Sequence, residues 1–308
     1  MHTVFIDGKE GTTGLQIYER LGRREDIEII TLPEGLRKDA AARREAIRSA
    51  DIVFLCLPDA AAREAVALAG DAGARIIDAS TAHRTAPGWA YGFPELSAAH
   101  RERIAGSRRI ANPGCYASGF ISLVYPLIAH GIADTGYPFV CHAVSGYSGA
   151  GKKGIAQYED PARPPEFDTP RLYATSMQHK HLPEMAAVCG LTQLPAFCPY
   201  VCDYYAGMTV SVPLHASLLK KKVTPDDLLA LYGEHYGGSR FISVSARKDA
   251  YVSANRFNGT NLMEIAVYGN EDRILLTSSF DNLGKGASGA AVQNMNIALG
   301  LDEAEGLL

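Results

Sequence analysis

Short apolar blocks alternate with amphipathic or Ala-rich stretches through the first third of the chain. Residues 3–7 (Thr-Val-Phe-Ile-Asp) read as a strand, 15–21 as a helix, 27–32 as a strand and 40–49 as a surface helix rich in Ala and Arg. The run 51–58, Asp-Ile-Val-Phe-Leu-Cys-Leu-Pro, is apolar through its centre, as a central parallel strand buried on both faces is. A helix over 60–69 and strands over 75–78 and 109–111 continue the alternation. Strand and helix taking turns in this way predict a doubly wound parallel sheet.

The pattern changes after residue 115. A buried helix follows, and then period-2 segments dominate: 140–145, 197–201, 207–214, 241–245, 262–268 and 273–279, with one helix over 225–236. Several strands around one or two helices predict an α+β domain with a mixed or antiparallel sheet. The last helix, 287–299, carries small residues on one face and is expected to pack back onto the first domain, with Asn282 and Lys285 near the interdomain cleft. The expected division is 1–116 completed by 285–308, and 117–284.

Composition narrows the classes. A length of 308 residues allows a sizeable core in each of two domains. A net charge of −4 argues against nucleic-acid binding, which calls for a basic face. No apolar run reaches membrane-spanning length and the chain opens directly on a strand, so no membrane anchor or leader and a cytoplasmic location are expected. The six cysteines lie scattered among apolar neighbours without zinc-site spacing, so no metal is expected.

Three stretches carry candidate chemistry. Gly8, Gly11 and Gly14, spaced G-x-x-G-x-x-G with Thr12 and Thr13 between them, link the first strand to the first helix. A glycine turn there lets backbone approach a pyrophosphate whose charge the helix N-terminus holds. The second strand ends without an acidic residue at its tip, while Arg37 and Lys38 follow and suit a 2′-phosphate, favouring NADP(H) over NAD. Pro58, Ser80 and Arg84 fall at carboxyl ends of strands, where such sheets bind ligands, and Arg84 suits a carboxylate or phosphate. Residues 146–154 form a glycine-rich segment with Ser148, Lys152 and Lys153, read as a mobile loop of the kind that closes over substrates.

The centre of the chain is Ile110-Ala111-Asn112-Pro113-Gly114-Cys115-Tyr116. A cysteine placed after a Pro-Gly turn, at the start of a helix, meets unpaired N–H groups and a positive helix end that favour thiolate. Cys115 is therefore the candidate nucleophile, with its helix N–H and Asn112 as candidates to stabilise an oxyanion. His179 and His181, separated by one residue ahead of Leu-Pro-Glu, are the candidate acid/base pair, His181 being favoured because it directly precedes that turn.

Taken together, the glycine turn, Tyr91–Leu96, Asn112–Tyr116, His179–Glu184 and Lys285–Asn294 resemble the short form of the N-acetyl-γ-glutamyl-phosphate reductases of arginine biosynthesis. The resemblance covers nearly the whole chain, and the glycine turn departs from the family's commoner form by carrying Lys9 and Glu10. It implies a Rossmann domain, a second domain like that of glyceraldehyde-3-phosphate dehydrogenase, and a homodimer or homotetramer. It implies NADPH-dependent reduction of an acyl phosphate to a semialdehyde through a cysteine thioester. By analogy with the wider fold family Asn282 meets the nicotinamide, and Ser80, Arg84, Asn112, Ser148 and Lys153 are candidates to bind the substrate. Rival readings are a sister enzyme, either aspartate-semialdehyde dehydrogenase or a lysine-pathway reductase with a carrier-linked substrate, and a non-catalytic NADP-sensing module.

Overall fold

The computed structural model describes residues 1–246 and 250–307, so Leu308, the end of the expected 285–308 segment, lies outside the described residues. β1 (His2–Asp7) buries its last four residues and leads into α1 (Thr12–Leu21), which turns Gly14, Ile17 and Leu21 inward at helical spacing. β2 (Ile27–Ile30) stops short of the expected Leu32, because its ladder with β1 ends at Phe5↔Ile30 and Pro33 follows without an N–H. α2 (Ala40–Ser49) is capped by the Asp39 carboxylate, which accepts from Ala42 N–H at 2.8 Å. β3 (Ile52–Leu55) is buried throughout, and α3 (Asp59–Ala69) and β4 (Arg75–Asp78) follow as expected. β5 (Ala90–Tyr91) and α4 (Ala98–Gly106) were not foreseen; α4 buries only Ile104 and so carries almost no periodic signal. β6 (Arg109–Ala111) completes the sheet, whose order is β2-β1-β3-β4-β6-β5 with every pairing parallel.

The second unit begins with α5 (Cys115–Ala129), apolar and buried along most of its length. Gly119 lets that helix lie directly on the sheet: a Cβ there would run into the Val210 side chain. β7 (Val140–Gly146) follows. The segment expected to be a mobile glycine loop is instead ordered, as a 3₁₀ turn over Tyr147–Ala150 and then α6 (Gly151–Glu159). Its start is tied down by Tyr147 N–H and Ser148 N–H donating to the Tyr204 and Tyr205 carbonyls, each at 2.9 Å. The remaining elements are β8 (Arg171–Leu172), α7 (Leu182–Cys189), β9 (Ala196–Cys202), β10 (Met208–His215), α8 (Pro225–His235), β11 (Ile242–Ser245), β12 (Met263–Gly269) and β13 (Arg273–Phe280). The described strands order β11-β12-β13-β10-β7-β9-β8, parallel at β11/β12 and β7/β9 and antiparallel elsewhere.

A wide turn over Gly284–Ser288 then leads to α9 (Gly289–Leu299), which returns to the first unit and packs against α1, α4 and β4. Its residues 289–298 are all buried. Polar anchors hold it: Arg24 Nη1 donates to Asn296 Oδ1 at 2.6 Å, and Gln293 Nε2 donates to Glu95 Oε1 at 2.9 Å. The chain thus divides into one unit of residues 1–113 with those from Ala287 onward, and another of Gly114–Gly286. Gly114, Cys115, Tyr116, Lys285 and Gly286, expected in the first unit, belong to the second.

Candidate active site and coenzyme cavity

In the first unit the glycine turn is shaped by backbone crowding. Gly8 adopts φ +89°, and a Cβ there would run into the Cys56 carbonyl. Gly14 sits so close to the turn that a Cβ would lie 2.5 Å from Gly8 O, and Gly11 N–H donates to Gly8 O at 3.0 Å. α1 starts at Gly11 without a side-chain cap, and Thr12 and Thr13 are its first two residues. The Thr12 hydroxyl is enclosed and finds no hydrogen-bond partner among the described residues. An open helix start, a turn that excludes side chains and an enclosed hydroxyl together fit the pyrophosphate of a dinucleotide.

Beside this turn lies a cavity of about 560 Å³, lined by Asp7–Glu10, by Ile29–Leu32 at the end of β2, and by Glu34, Gly35, Arg37, Lys38 and Leu57. It is the place where an adenosine ribose belongs in such a sheet. Arg37 is there as expected, but its Nη1 is paired with Glu10 Oε1 at 3.1 Å. Pro58 does not line the cavity; it serves as the residue before α3, and Leu57 lines the wall instead. Asp7 is buried against Arg43 (Oδ2 to Nη2, 2.9 Å), and burial outweighs that partner and raises its carboxyl above the usual range.

The other strand-end residues of this unit have different tasks from those expected. Asp78 is fully buried and accepts from Ser80 N–H (2.9 Å), Ser80 Oγ (2.8 Å) and the His83 ring (2.6 Å), so Ser80 is spent on its own turn. Arg84 donates through Nε to the Asn112 carbonyl at 3.0 Å and through Nη2 to Ala79 O at 3.1 Å, stitching two strand ends together. Asn112 is buried, and its carboxamide donates to Ala287 O (3.0 Å) and accepts from Asn294 (3.1 Å). That clasp holds the strand-end loop to the start of α9 and uses the amide oxygen and one of its two N–H donors.

In the second unit Cys115 is the first residue of α5, half-buried, and the Gly114 before it provides no side-chain cap. The first-turn N–H groups therefore have no intrahelical acceptor and the positive end of the helix faces the sulfur. Distant groups fix the turn. The Glu184 carboxylate, 1% exposed, accepts from Gly114 N–H at 2.9 Å, and Gly286 lies so near that a Cβ would come within 2.9 Å of Cys115 Cβ. Burial pushes the Cys56 thiol up to about 12. Burial also raises the Cys141, Cys189 and Cys202 thiols above their ordinary value.

Cys115 opens onto a cavity of about 420 Å³ lined also by Tyr116, Ser145, Tyr158, Arg171, Tyr173, His179 and Lys180. Both histidines pack on the Tyr116 ring, with centroids at 5.7 Å for His179 and 6.0 Å for His181. His179 Nδ1 accepts the His181 N–H at 3.1 Å, which leaves the ring proton of the neutral form on Nε2, beside the Tyr173 hydroxyl. His181 is buried at the start of α7, three residues ahead of the Glu184 that grips the cysteine turn. Burial raises the Tyr116 and Tyr173 hydroxyls well above their ordinary value, so both stay protonated as donors at neutral pH.

The remaining expected residues lie nearby but occupied or apart. Asn282 is buried, accepting from Gly207 N–H at 2.8 Å and donating to Ser148 Oγ at 2.9 Å, so the two residues form one internal bracket. Lys153 is exposed on α6 and does not line the cavity, whereas Gly154 and Gln157 of that helix do. Sequence reasoning gave no role to Glu184, Gly286, Arg171 or Lys180. Glu184 and Gly286 sit in short patterned stretches that hinted at them; Arg171 is brought in by the pairing of β8 with β9, which leaves no local signal. Among the described residues no three His, Cys, Asp or Glu side chains gather as a metal site, and no helix is long and apolar enough to cross a membrane.

Comparison with known proteins gives this geometry a family. Residues 115–282 match the semialdehyde dehydrogenase dimerisation domain and residues 33–105 the semialdehyde dehydrogenase NAD binding domain. A Pseudomonas putida protein named N-acetyl-gamma-glutamyl-phosphate reductase 2 is 48% identical over 99% of this chain and 100% of its own. A Nostoc protein of the same name is 45% identical over 99% of this chain and 98% of its own. Among solved structures, aspartate semialdehyde dehydrogenase II from Vibrio cholerae shares the fold, with a TM-score of 0.72 at 17% identity over 97% of this chain and 98% of that one. The chain belongs to the semialdehyde dehydrogenase family, within the branch of the N-acetyl-γ-glutamyl-phosphate reductases.

Proposed function

We propose that the chain reduces N-acetyl-γ-glutamyl phosphate to N-acetylglutamate 5-semialdehyde and phosphate with NADPH, in arginine biosynthesis. The observation that carries this reading is Cys115 at the open start of α5, facing a cavity it shares with His179, Lys180 and Arg171. Near full-length identity of 48% to a relative named for that activity supports the substrate. The description of the matched 115–282 segment as a dimerisation domain supports a homo-oligomer, and a cytoplasmic location goes with the same reading.

An acyl phosphate is an activated carbonyl, so the Cys115 sulfur attacks the acyl carbon while the bond to the phosphate oxygen breaks. His181 removes the thiol proton and passes it to the departing phosphate. The first-turn N–H groups of α5 stabilise charge on the carbonyl oxygen; Gly114 N–H takes no part, since Glu184 holds it. The product is a thioester on Cys115, whose carbon accepts the hydride that bound NADPH supplies. The thiohemiacetal on Cys115 then collapses, the C–S bond breaks and the aldehyde leaves. The imidazole, having given the first proton to phosphate, takes one from solvent and passes it to the sulfur, so each turnover consumes one proton. Arg171 and Lys180, at the cavity wall, offer the positive charge that the phosphate and the carboxylate of this substrate need. For the coenzyme, Gly8, Gly11 and Gly14 with Thr12 and Thr13 hold the pyrophosphate, and Arg37 faces the 2′-phosphate.

The test is phosphate-dependent reduction of NADP⁺ by N-acetylglutamate semialdehyde. Wild type should turn over and Cys115→Ser should not; silence in both, with NADP⁺ still bound, would overturn the reading. His181→Asn should lower kcat by about 10²–10⁴-fold, and His179→Asn should act mainly on KM. The reverse pattern would exchange the two roles.

A further inference from the structure

In the coenzyme cavity the cation expected to meet the 2′-phosphate already has a partner. Glu10, from the glycine turn, and Arg37, from the segment after β2, both line the cavity and pair at 3.1 Å, with side chains 58% and 40% exposed. Glu10 lies between Gly8 and Gly14, where backbone packs too closely to admit a Cβ, and this turn places it on the cavity wall. Of the other charged groups on this wall, Lys9 is drawn over the Tyr18 ring at 3.5 Å, Asp7 is held by Arg43, and Glu34 and Lys38 add one charge of each sign. Arg37 is thus balanced locally before any ligand arrives.

We propose that Glu10 is a coenzyme-selectivity residue: its carboxylate holds Arg37 across the cavity, and a 2′-phosphate must displace it, whereas a coenzyme with a 2′-hydroxyl leaves the pair in place. The inference rests on the reading of this cavity as the NADP(H) site. A carboxylate facing a doubly charged phosphate is repulsive, and it also occupies a guanidinium that would otherwise bind two phosphate oxygens at once. A 2′-hydroxyl, by contrast, is a group that a carboxylate accepts from. Glu10 therefore restrains the preference for NADPH that Arg37 and Lys38 create, and the chain accepts both coenzymes with a narrower margin than its basic residues alone would set.

Equilibrium titration of NADPH and of NADH, followed by the fluorescence of the reduced nicotinamide, tests this without turnover. Glu10→Gln should tighten NADPH by about two- to fivefold, the size of one exposed ion pair, while NADH does not tighten. Arg37→Ala should weaken NADPH selectively, and in that background Glu10→Gln should give a smaller gain. Equal gains for both coenzymes, or the same gain with and without Arg37, would overturn the pairing as the cause. If wild type bound neither coenzyme, the reading of the cavity itself would fail, which is a different result from an unchanged ratio in a protein that binds both.

Discussion

Two helices of this chain begin in the same way and are held by opposite means. α1 and α5 both start after a glycine with no side-chain cap, at Gly11 and Gly114, and the first-turn N–H groups of each lack an intrahelical acceptor. The α1 turn is kept in shape by backbone close by: Gly8 O receives Gly11 N–H, and the Cys56 carbonyl, just past the end of β3, leaves no room for a Cβ at Gly8. The α5 turn has no such local scaffold. Glu184, 70 residues on, holds its Gly114 N–H, and Gly286 closes against Cys115. A phosphate site needs only oriented N–H groups, which a tight turn can build by itself. A nucleophile needs its sulfur, its proton carrier and its oxyanion donors aligned, and only tertiary structure brings those together.

The largest effect should come from breaking the local scaffold. Gly8→Ala puts a Cβ into the Cys56 carbonyl at a φ of +89°, and either the turn or β3 must move. Loss of one N–H bond to the charged pyrophosphate, about 1.5–3 kcal/mol, should weaken coenzyme binding by about 10- to 100-fold, read by fluorescence titration. Gly11→Ala is the control for misfolding. Its φ of −72° is ordinary and its Cβ would stand 3.4 Å from Gly8 O, so the turn should keep its shape and the melting temperature should stay near that of wild type.

Breaking the distant scaffold should separate the two helix starts. Glu184→Ala leaves Gly114 N–H buried without its acceptor, a cost of about 1–3 kcal/mol, and loosens the turn that aims Cys115. The expected result is a kcat lowered about 10- to 100-fold with coenzyme affinity unchanged. Glu184→Gln keeps an oxygen acceptor and should recover most of the stability, so stability and kcat measured in both variants tell support of the turn from simple damage. If coenzyme affinity fell alongside kcat, the independence of the two turns would be lost.

The same contrast explains what could be read from the sequence. The glycine turn, the alternating βα elements and Cys115 after Pro-Gly are local patterns, and each occupies the place its pattern implied. Arg84, Asn112, Ser80 and Asn282 were legible as polar residues at strand or helix ends, but not as groups whose bonds are satisfied inside their own unit. Such a distinction depends on partners as far away as Asn294 for Asn112, which no spacing encodes. The glycines at 146–154 misled for a related reason. Gly146 is required by close approach to the Tyr204 and Tyr205 carbonyls, so this glycine marks crowding rather than mobility.

α8 supplies the counterpart to both open helices, and the smallest of the effects. Its start is fully closed by a capping box: the Thr224 hydroxyl accepts from Asp227 N–H at 3.2 Å, and the Asp227 carboxylate accepts from Thr224 N–H and Oγ, each at 2.8 Å. Those two donors hold the Asp227 carboxyl below its ordinary range, the backbone N–H being the larger cause. A carboxyl with a lowered folded-state value contributes stability that is present above the unfolded value and lost as pH falls through the folded one. Thr224→Ala removes one donor and the cap oxygen, so at neutral pH the melting temperature should fall by about 1–4 °C, with coenzyme affinity and turnover unchanged. In acid the gap should narrow, because protonated Asp227 no longer rewards the hydroxyl, but it should not close, because the Asp227 N–H still loses its acceptor. Thermal melts of both proteins across the acid range check this. A gap constant with pH would mean that the hydroxyl caps α8 through the N–H alone and that the carboxylate is held by backbone.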